Sequence, residues 1–175
     1  MSTSQPEIVE AKQPLWMGYL ELAAIAGLVL ALDQLSKSWV RTTFSLGETW
    51  MPWEWLAPYA RVVNWHNTGM AFGLFQGGSD LIMVLAIGVA LLILFYYPSL
   101  AKEGWPVRLA IGLQLGGALG NLADRVRLGH VTDWISVGQF PVFNIADSAV
   151  TLGVAILLIT LWTDRERPAD EAITG

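Results

Sequence analysis

Four long apolar runs set the terms for this chain: Leu15 to Leu32, interrupted only by Glu21, then Leu81 to Tyr97, Val107 to Ala123 and Val142 to Trp162. Each approaches the roughly 17 to 25 residues that a helix needs to cross a bilayer. With no water in the hydrocarbon core to satisfy backbone polar groups, runs of this kind cross as helices. The expectation is an all-α membrane protein, a four-helix transmembrane bundle with spans at about 15–37, 80–98, 107–124 and 142–162. Residues 1–14 and 164–175 are polar and are expected to be tails around a single membrane domain, 15–163. The first run is too long for the apolar core of a cleaved signal peptide and is expected to be retained.

Composition agrees, with 54% hydrophobic and 14% charged residues and a mean hydropathy of +0.48, outside the usual range of soluble domains. A net charge of -5 argues against nucleic acid as a partner, because phosphate binding needs a basic surface. The absence of cysteine removes disulfides, thiolate nucleophiles and sulfur-ligated metals. His66 and His130 stand far apart without a ligand-like spacing, so neither a metal nor another cofactor is expected.

Between Ser38 and Asp80 the apolar periodicity breaks, and five of the nine tryptophans fall there. Tryptophan is enriched where membrane meets water, so a small strand-containing segment lying on the membrane surface between spans 1 and 2 is expected, with 61–65 as a strand. Gly112, Gly116, Gly117 and Gly120 in the third run suit close helix packing. Residues 124–141 read as a second loop.

Polar residues gather at the ends of the runs. Asn121-Leu122-Ala123-Asp124 closes the third and Asn144-Ile145-Ala146-Asp147 opens the fourth. Residues three apart share a helix side, and ionisable groups in membrane segments default to a functional reading. In an alternating four-span bundle both pairs, together with Asp33, Lys37, Asn67, Arg125 and Asp133, reach one membrane face. Two carboxylates held together in a low-dielectric setting share a proton and act as both base and acid. The competing reading is helix capping. It accounts for Asp147 at a helix start, but not for Asp124 at an expected helix end, where negative charge opposes the dipole. The count of Lys and Arg is balanced between the two sides and does not orient the bundle.

The motifs Asp33-Gln34-x-x-Lys37, Asn67-x-Gly69-x-Ala71-Phe72-Gly73, Gly120-Asn121-x-x-Asp124-Arg125, Val131-x-Asp133 and Phe143-Asn144-x-Ala146-Asp147 together resemble, in order, those of the bacterial lipoprotein signal peptidases, or signal peptidase II. The resemblance spans residues 16–162. It implies an aspartic endopeptidase of the cytoplasmic (inner) membrane that removes the signal peptide of a prolipoprotein, cutting before a diacylglyceryl-modified cysteine. It further implies cytoplasmic termini, an active site and surface segment on the outer, periplasmic side, contact with membrane lipid, and inhibition by a globomycin-type cyclic peptide. A monomer is expected. On this resemblance Asp124 and Asp147 are the catalytic pair, while Asp33, Lys37, Asn67, Gly69, Asn121, Arg125, Asp133 and Asn144 bind substrate or support the site.

Two other classes stand beside this reading. A proton-coupled transporter or channel also uses membrane aspartates near arginine, but none of these acids lies midway along a run. A non-catalytic membrane scaffold leaves the repeated Asn-x-x-Asp unexplained.

Overall fold

A computed structural model describes residues 14–69 and 79–171, with side chains to residue 163. The stretch 70–73 of the second motif lies outside the described residues, as do most of the expected tails. Four long helices dominate: α1 (Leu15–Thr43), α2 (Ser79–Leu100), α3 (Trp105–Leu128) and α4 (Ile145–Glu171). Three strands, β1 (Thr49–Trp50), β2 (Ala60–Asn67) and β3 (Val131–Val137), form one antiparallel sheet in the order β1-β2-β3.

Three segments, Leu15–Thr43, Asp80–Glu103 and Ile145–Thr163, are long and apolar enough to cross a membrane. Their apolar surface points outward: only 17%, 11% and 17% of their most apolar stretches are buried within the molecule. Leu35, Phe95, Leu158 and Trp162 are among the exposed large side chains, the pattern of a chain whose solvent is lipid. Helix α3 does not meet the same measure. It packs against α1, α2 and α4, so its glycines and polar groups are covered by protein instead of lipid.

The α3 glycines explain how closely the helices approach. A Cβ on Gly112 would sit 2.6 Å from Ile25 Cγ2, and one on Gly116 would sit 2.7 Å from the Ala26 carbonyl oxygen, both on α1. On the other side, Gly117 and Gly120 meet Ala146 of α4. One helix therefore presents two glycine faces to two neighbours. Helix α3 takes Pro106 in its first turn, where the missing N–H costs nothing. It stops at Gly129, whose φ of 75° and N–H donation to Arg125 O make a left-handed cap.

Pro98 lies inside α2 and cannot donate to the Leu94 carbonyl one turn back. Tyr19 Oη of α1 donates to that oxygen at 3.3 Å. Beside it, buried Tyr97 donates to Gly18 O at 2.6 Å. Glu21 pairs with Arg108 at 2.9 Å, which gives it a structural partner on α3.

Several boundaries differ from the sequence-based expectation. Helix α1 runs six residues beyond Lys37, because no breaker occurs before Gly47 and Val40 is fully buried. The region read as a loop from Asp124 contains the last turn of α3 and all of β3. Asp124 is therefore one turn inside a helix. The strand expected at 61–65 is present as β2, but its partners come from both loops, so the sheet does not belong to the segment between the first two helices alone.

Candidate active site

Three helix ends and one strand converge. The α1 C-terminal half brings Asp33 and Lys37, the α3 C-terminal half brings Asn121, Asp124 and Arg125, and the α4 N-terminus brings Asn144 and Asp147. Strand β3 inserts Asp133 beside them. A register shift between Val62 and Trp65 sets Trp65 opposite Asp133 and Asn67 opposite Val131, which makes Asn67 and Asp133 diagonal neighbours on one sheet face. Asn67 Nδ2 donates to Asp133 Oδ2 at 2.8 Å.

Asn144 and Asp147 start α4 with a reciprocal capping box. The Asp147 N–H donates to Asn144 Oδ1 at 2.9 Å, and the Asn144 N–H donates to Asp147 Oδ2 at 3.2 Å. Capping is therefore true of Asp147, and it also fixes the carboxylate's direction. Its other oxygen accepts from Asn121 Nδ2 at 2.7 Å. Asn144 Nδ2 donates to Asp133 Oδ1 at 2.6 Å and to Asn121 Oδ1 at 3.1 Å. Asn144 thus touches both Asp133 and Asp147, with its side-chain and main-chain nitrogens respectively.

Asp124 belongs to a different set. It is 1% exposed, 3.3 Å from Lys37 Nζ and 3.5 Å from Arg41 Nη1. It also accepts from Gln34 Nε2 at 3.0 Å and from the Thr132 N–H at 3.0 Å. Lys37 pairs in addition with Asp33 at 2.8 Å, with both side chains fully buried, and donates to Asn121 Oδ1 at 2.9 Å. Asp33 Oδ1 accepts the Ala146 N–H at 3.0 Å and so closes another orphan donor of α4. The Asp33 and Lys37 pair is consequently an internal tie between helices and not a solvated helix end.

All ten residues singled out from the sequence join one connected network. Gly69 enters through its N–H to Asn67 Oδ1 at 3.0 Å and through its carbonyl, which accepts from Arg125 Nη2 at 3.4 Å. Within it, Asp124 is flanked by two cations, whereas Asp133 and Asp147 are held by asparagine amides with no ion pair among the described residues. Asn121 does not bond to Asp124, its partner in the motif, but to Asp147 across the helix interface.

Burial, followed by the Asp147 charge, pushes the Asp133 carboxyl up to about 7, against the opposing hydrogen bonds from Asn67 and Asn144 and the Lys37 charge. Such a group holds a proton near neutral pH. His66 and His130 stack with ring centroids 3.7 Å apart, and burial, then His130 and Arg41, hold His66 below its ordinary value. Among the described residues no set of three or more His, Cys, Asp or Glu side chains is arranged to hold a metal ion.

Sequence reasoning named Gln34 in a motif without giving it a role, passed over Arg41 and Thr132 as site residues, and placed Asp133 among the substrate-binding or supporting residues. The available signal for Asp133 was a carboxylate set inside the β-prone run Val131-Thr132-Asp133-Trp134-Ile135.

Comparison with known proteins bears on this geometry. The family model described as signal peptidase (SPase) II matches residues 25–163. A lipoprotein signal peptidase of Moorella thermoacetica is 42% identical over 133 residues, covering 76% of this chain and 87% of that protein. One from Staphylococcus aureus is 30% identical over 153 residues, covering 85% and 92%. A solved bacterial membrane enzyme superposes with a TM-score of 0.78 at 29% identity, covering 87% of this chain and 92% of the other. A second gives 0.72 at 30% identity. The chain belongs to the signal peptidase II family.

Proposed function

We propose that this chain is a membrane-embedded aspartic endopeptidase that removes signal peptides from diacylglyceryl-modified prolipoproteins, with Asp133 and Asp147 as its acid-base pair. The observation carrying the pair is the shared Asn144, which bonds both carboxylates while, among the described residues, neither has a cation at ion-pair distance. This departs from the pairing of Asp124 with Asp147 read from the sequence. The Asp124 carboxylate has both oxygens engaged by two cations and two further donors of the protein itself. Asp124 is accordingly assigned to holding the site together.

Asp147, oriented by the Asn121 amide and the Asn144 N–H, takes a proton from a water that attacks the scissile carbonyl. Asp133, protonated near neutral pH, gives its proton to the carbonyl oxygen as the tetrahedral intermediate forms. Proton return from Asp147 to the amine nitrogen breaks the C–N bond and releases the new N-terminus, while Asp133 takes back a proton from a hydroxyl of the intermediate as the carboxylic acid forms. The Arg125 guanidinium, half-buried beside Gly69, is placed to hold a substrate carbonyl. No cofactor enters these steps.

In this reading all four helices span the membrane, α3 crossing as the central, protein-covered member, with residues 15–163 as one membrane domain between polar tails. The protein sits in the cytoplasmic membrane with its termini inside and the carboxylates near the outer face. A lipidated precursor then reaches the site without leaving the bilayer. The enzyme works as a monomer and is inhibited by a globomycin-type cyclic peptide.

The test is cleavage of a diacylglyceryl-modified precursor by the purified protein in detergent, where no gradient can drive transport. Asp133→Asn and Asp147→Asn should each lose at least about a hundredfold in rate. A folded Asp133→Asn variant that cuts at full rate, beside an inactive Asp124→Asn, would return the pair to Asp124 and Asp147.

A further inference from the structure

Thr132 and Asp133 are adjacent on β3, so their side chains point to opposite faces of the strand. Asp133 faces Asn67 and Asn144. Thr132, fully buried, faces the last turn of α1, where Arg41 Nη1 donates to its hydroxyl at 3.0 Å. The Thr132 N–H donates to Asp124 Oδ2 at 3.0 Å, and Arg41 stands 3.5 Å from the other oxygen of the same carboxylate. Arg41, Asp124 and Thr132 therefore form a triangle that ties α1, α3 and β3 together, one residue from Asp133.

The charges require this arginine. Lys37 is divided between Asp33 at 2.8 Å and Asp124 at 3.3 Å. One cation against two buried carboxylates leaves a net charge away from water, which is strongly unfavourable. Arg41 supplies the second cation and makes the set neutral. Its position in the last turn of α1, at the negative end of the helix dipole, favours the guanidinium further. A planar group with several donors can serve the carboxylate and the hydroxyl together, which an ammonium on the same stem does less well.

We infer that Arg41 is a positioning residue for the reaction: by gripping Thr132 from the far side of β3 and neutralising Asp124, it sets where the Asp133 carboxyl stands relative to Asp147. The inference rests on the assignment of Asp133 made above. Arg41 lies behind the strand and does not touch substrate, so its loss should act on turnover and not on binding.

The experiment is steady-state cleavage of the lipidated precursor by Arg41→Ala, Thr132→Val, the double variant and Asp133→Asn, with thermal unfolding in detergent measured on each. Arg41→Ala and Thr132→Val should each lower kcat by roughly tenfold to a hundredfold, the scale of a small misplacement of a reacting group. KM should stay within about twofold, the share of the effect assigned to uniform binding. Because both remove one grip, the double variant should be no worse than Arg41→Ala. Thr132→Ser, which restores the hydroxyl, should recover most of the rate lost in Thr132→Val. Valine suits a buried strand position, so Thr132→Val decides the matter even if Arg41→Ala fails to fold. Unchanged kcat in folded Thr132→Val, losses that multiply in the double variant, or an effect confined to KM would each overturn the inference while leaving the carboxylate pair intact. Full activity in Asp133→Asn would instead remove the pair, and the role of Arg41 with it.

Discussion

Asn121 of α3 donates at 2.7 Å to Asp147 of α4, although Asp124 lies three residues along its own helix. This one bond separates the two aspartates that the repeated Asn-x-x-Asp suggests are equivalent. Asp147 is held by amides at the start of a helix, whereas Asp124 is one turn inside another helix and neutralised by Lys37 and Arg41.

The proton on Asp133 makes stability depend on pH. Its folded value of about 7 lies above the ordinary 3.8, so the native state binds this proton more tightly than the unfolded chain. The contribution is fully present below about pH 4 and is lost as pH rises through about 7. Thermal unfolding in detergent between about pH 5 and 8 should show the midpoint falling with pH for the unaltered chain, with a shallower fall in Asp133→Asn. An identical slope in both would show that Asp133 ionises normally. The same ionisation predicts that activity declines on the alkaline side as the acid is lost.

Lys37 is a fully buried ammonium between two carboxylates. Lys37→Met keeps the volume, strands the Asp33 charge and leaves Asp124 with Arg41 alone, so it should destabilise the protein by about 3 to 5 kcal/mol. Lys37→Met combined with Asp33→Asn removes one stranded charge and should recover part of that loss. Denaturant or thermal unfolding of the three variants measures the difference, and a silent Lys37→Met would mean that the pairs carry little of the fold.

Glycines on two helices should behave differently when replaced. A Cβ on Gly120 would lie 2.6 Å from Asp33 Oδ2, an oxygen already committed to Lys37. Gly120→Ala should therefore destabilise by about 1 to 3 kcal/mol and reduce cleavage, because Asp33 also ties the first turn of α4. Gly27 on α1 has nothing within 4 Å of such an atom. Gly27→Ala should be neutral or stabilising by up to about 1 kcal/mol, as expected in a helix interior. Melting temperatures of the pair test the contrast directly.

The aromatic surface between α1 and α2 gives a kinetic prediction. Trp50, Trp53 and Trp55 are exposed, with the last two stacked at 6.1 Å between ring centroids. Set at a membrane interface they anchor the sheet beside the site. Replacing all three with alanine should raise the apparent KM for a membrane-borne precursor while sparing kcat. Unchanged kinetics would rule the anchoring out.

Much was legible from residue order alone. Apolar runs about the length of a bilayer gave the helices, since a run's length and hydropathy are local properties. The glycines of α3 marked close packing for the same reason. Nine polar residues, at the ends of the runs or in the two longer loops, could be placed at one membrane face because alternating spans bring those parts together, and they do form one network. Strand β3 was missed because its seven residues, buried on both faces, lack the alternation that marks a half-buried strand.

Only the tertiary structure decided what surrounds each carboxylate. Asp124, Asp133 and Asp147 are the same side chain in sequence, and their chemistry is set by what lies within about 3.5 Å. Two cations from α1 flank Asp124, while asparagines from three different elements hold Asp133 and Asp147, neither of which has an ion pair among the described residues. Asn67 stands 66 positions from Asp133, Asn121 26 from Asp147 and Asn144 11 from Asp133, and no local pattern records those contacts. Electrostatic environment is a property of packing, and packing appears only when the helices and the sheet meet.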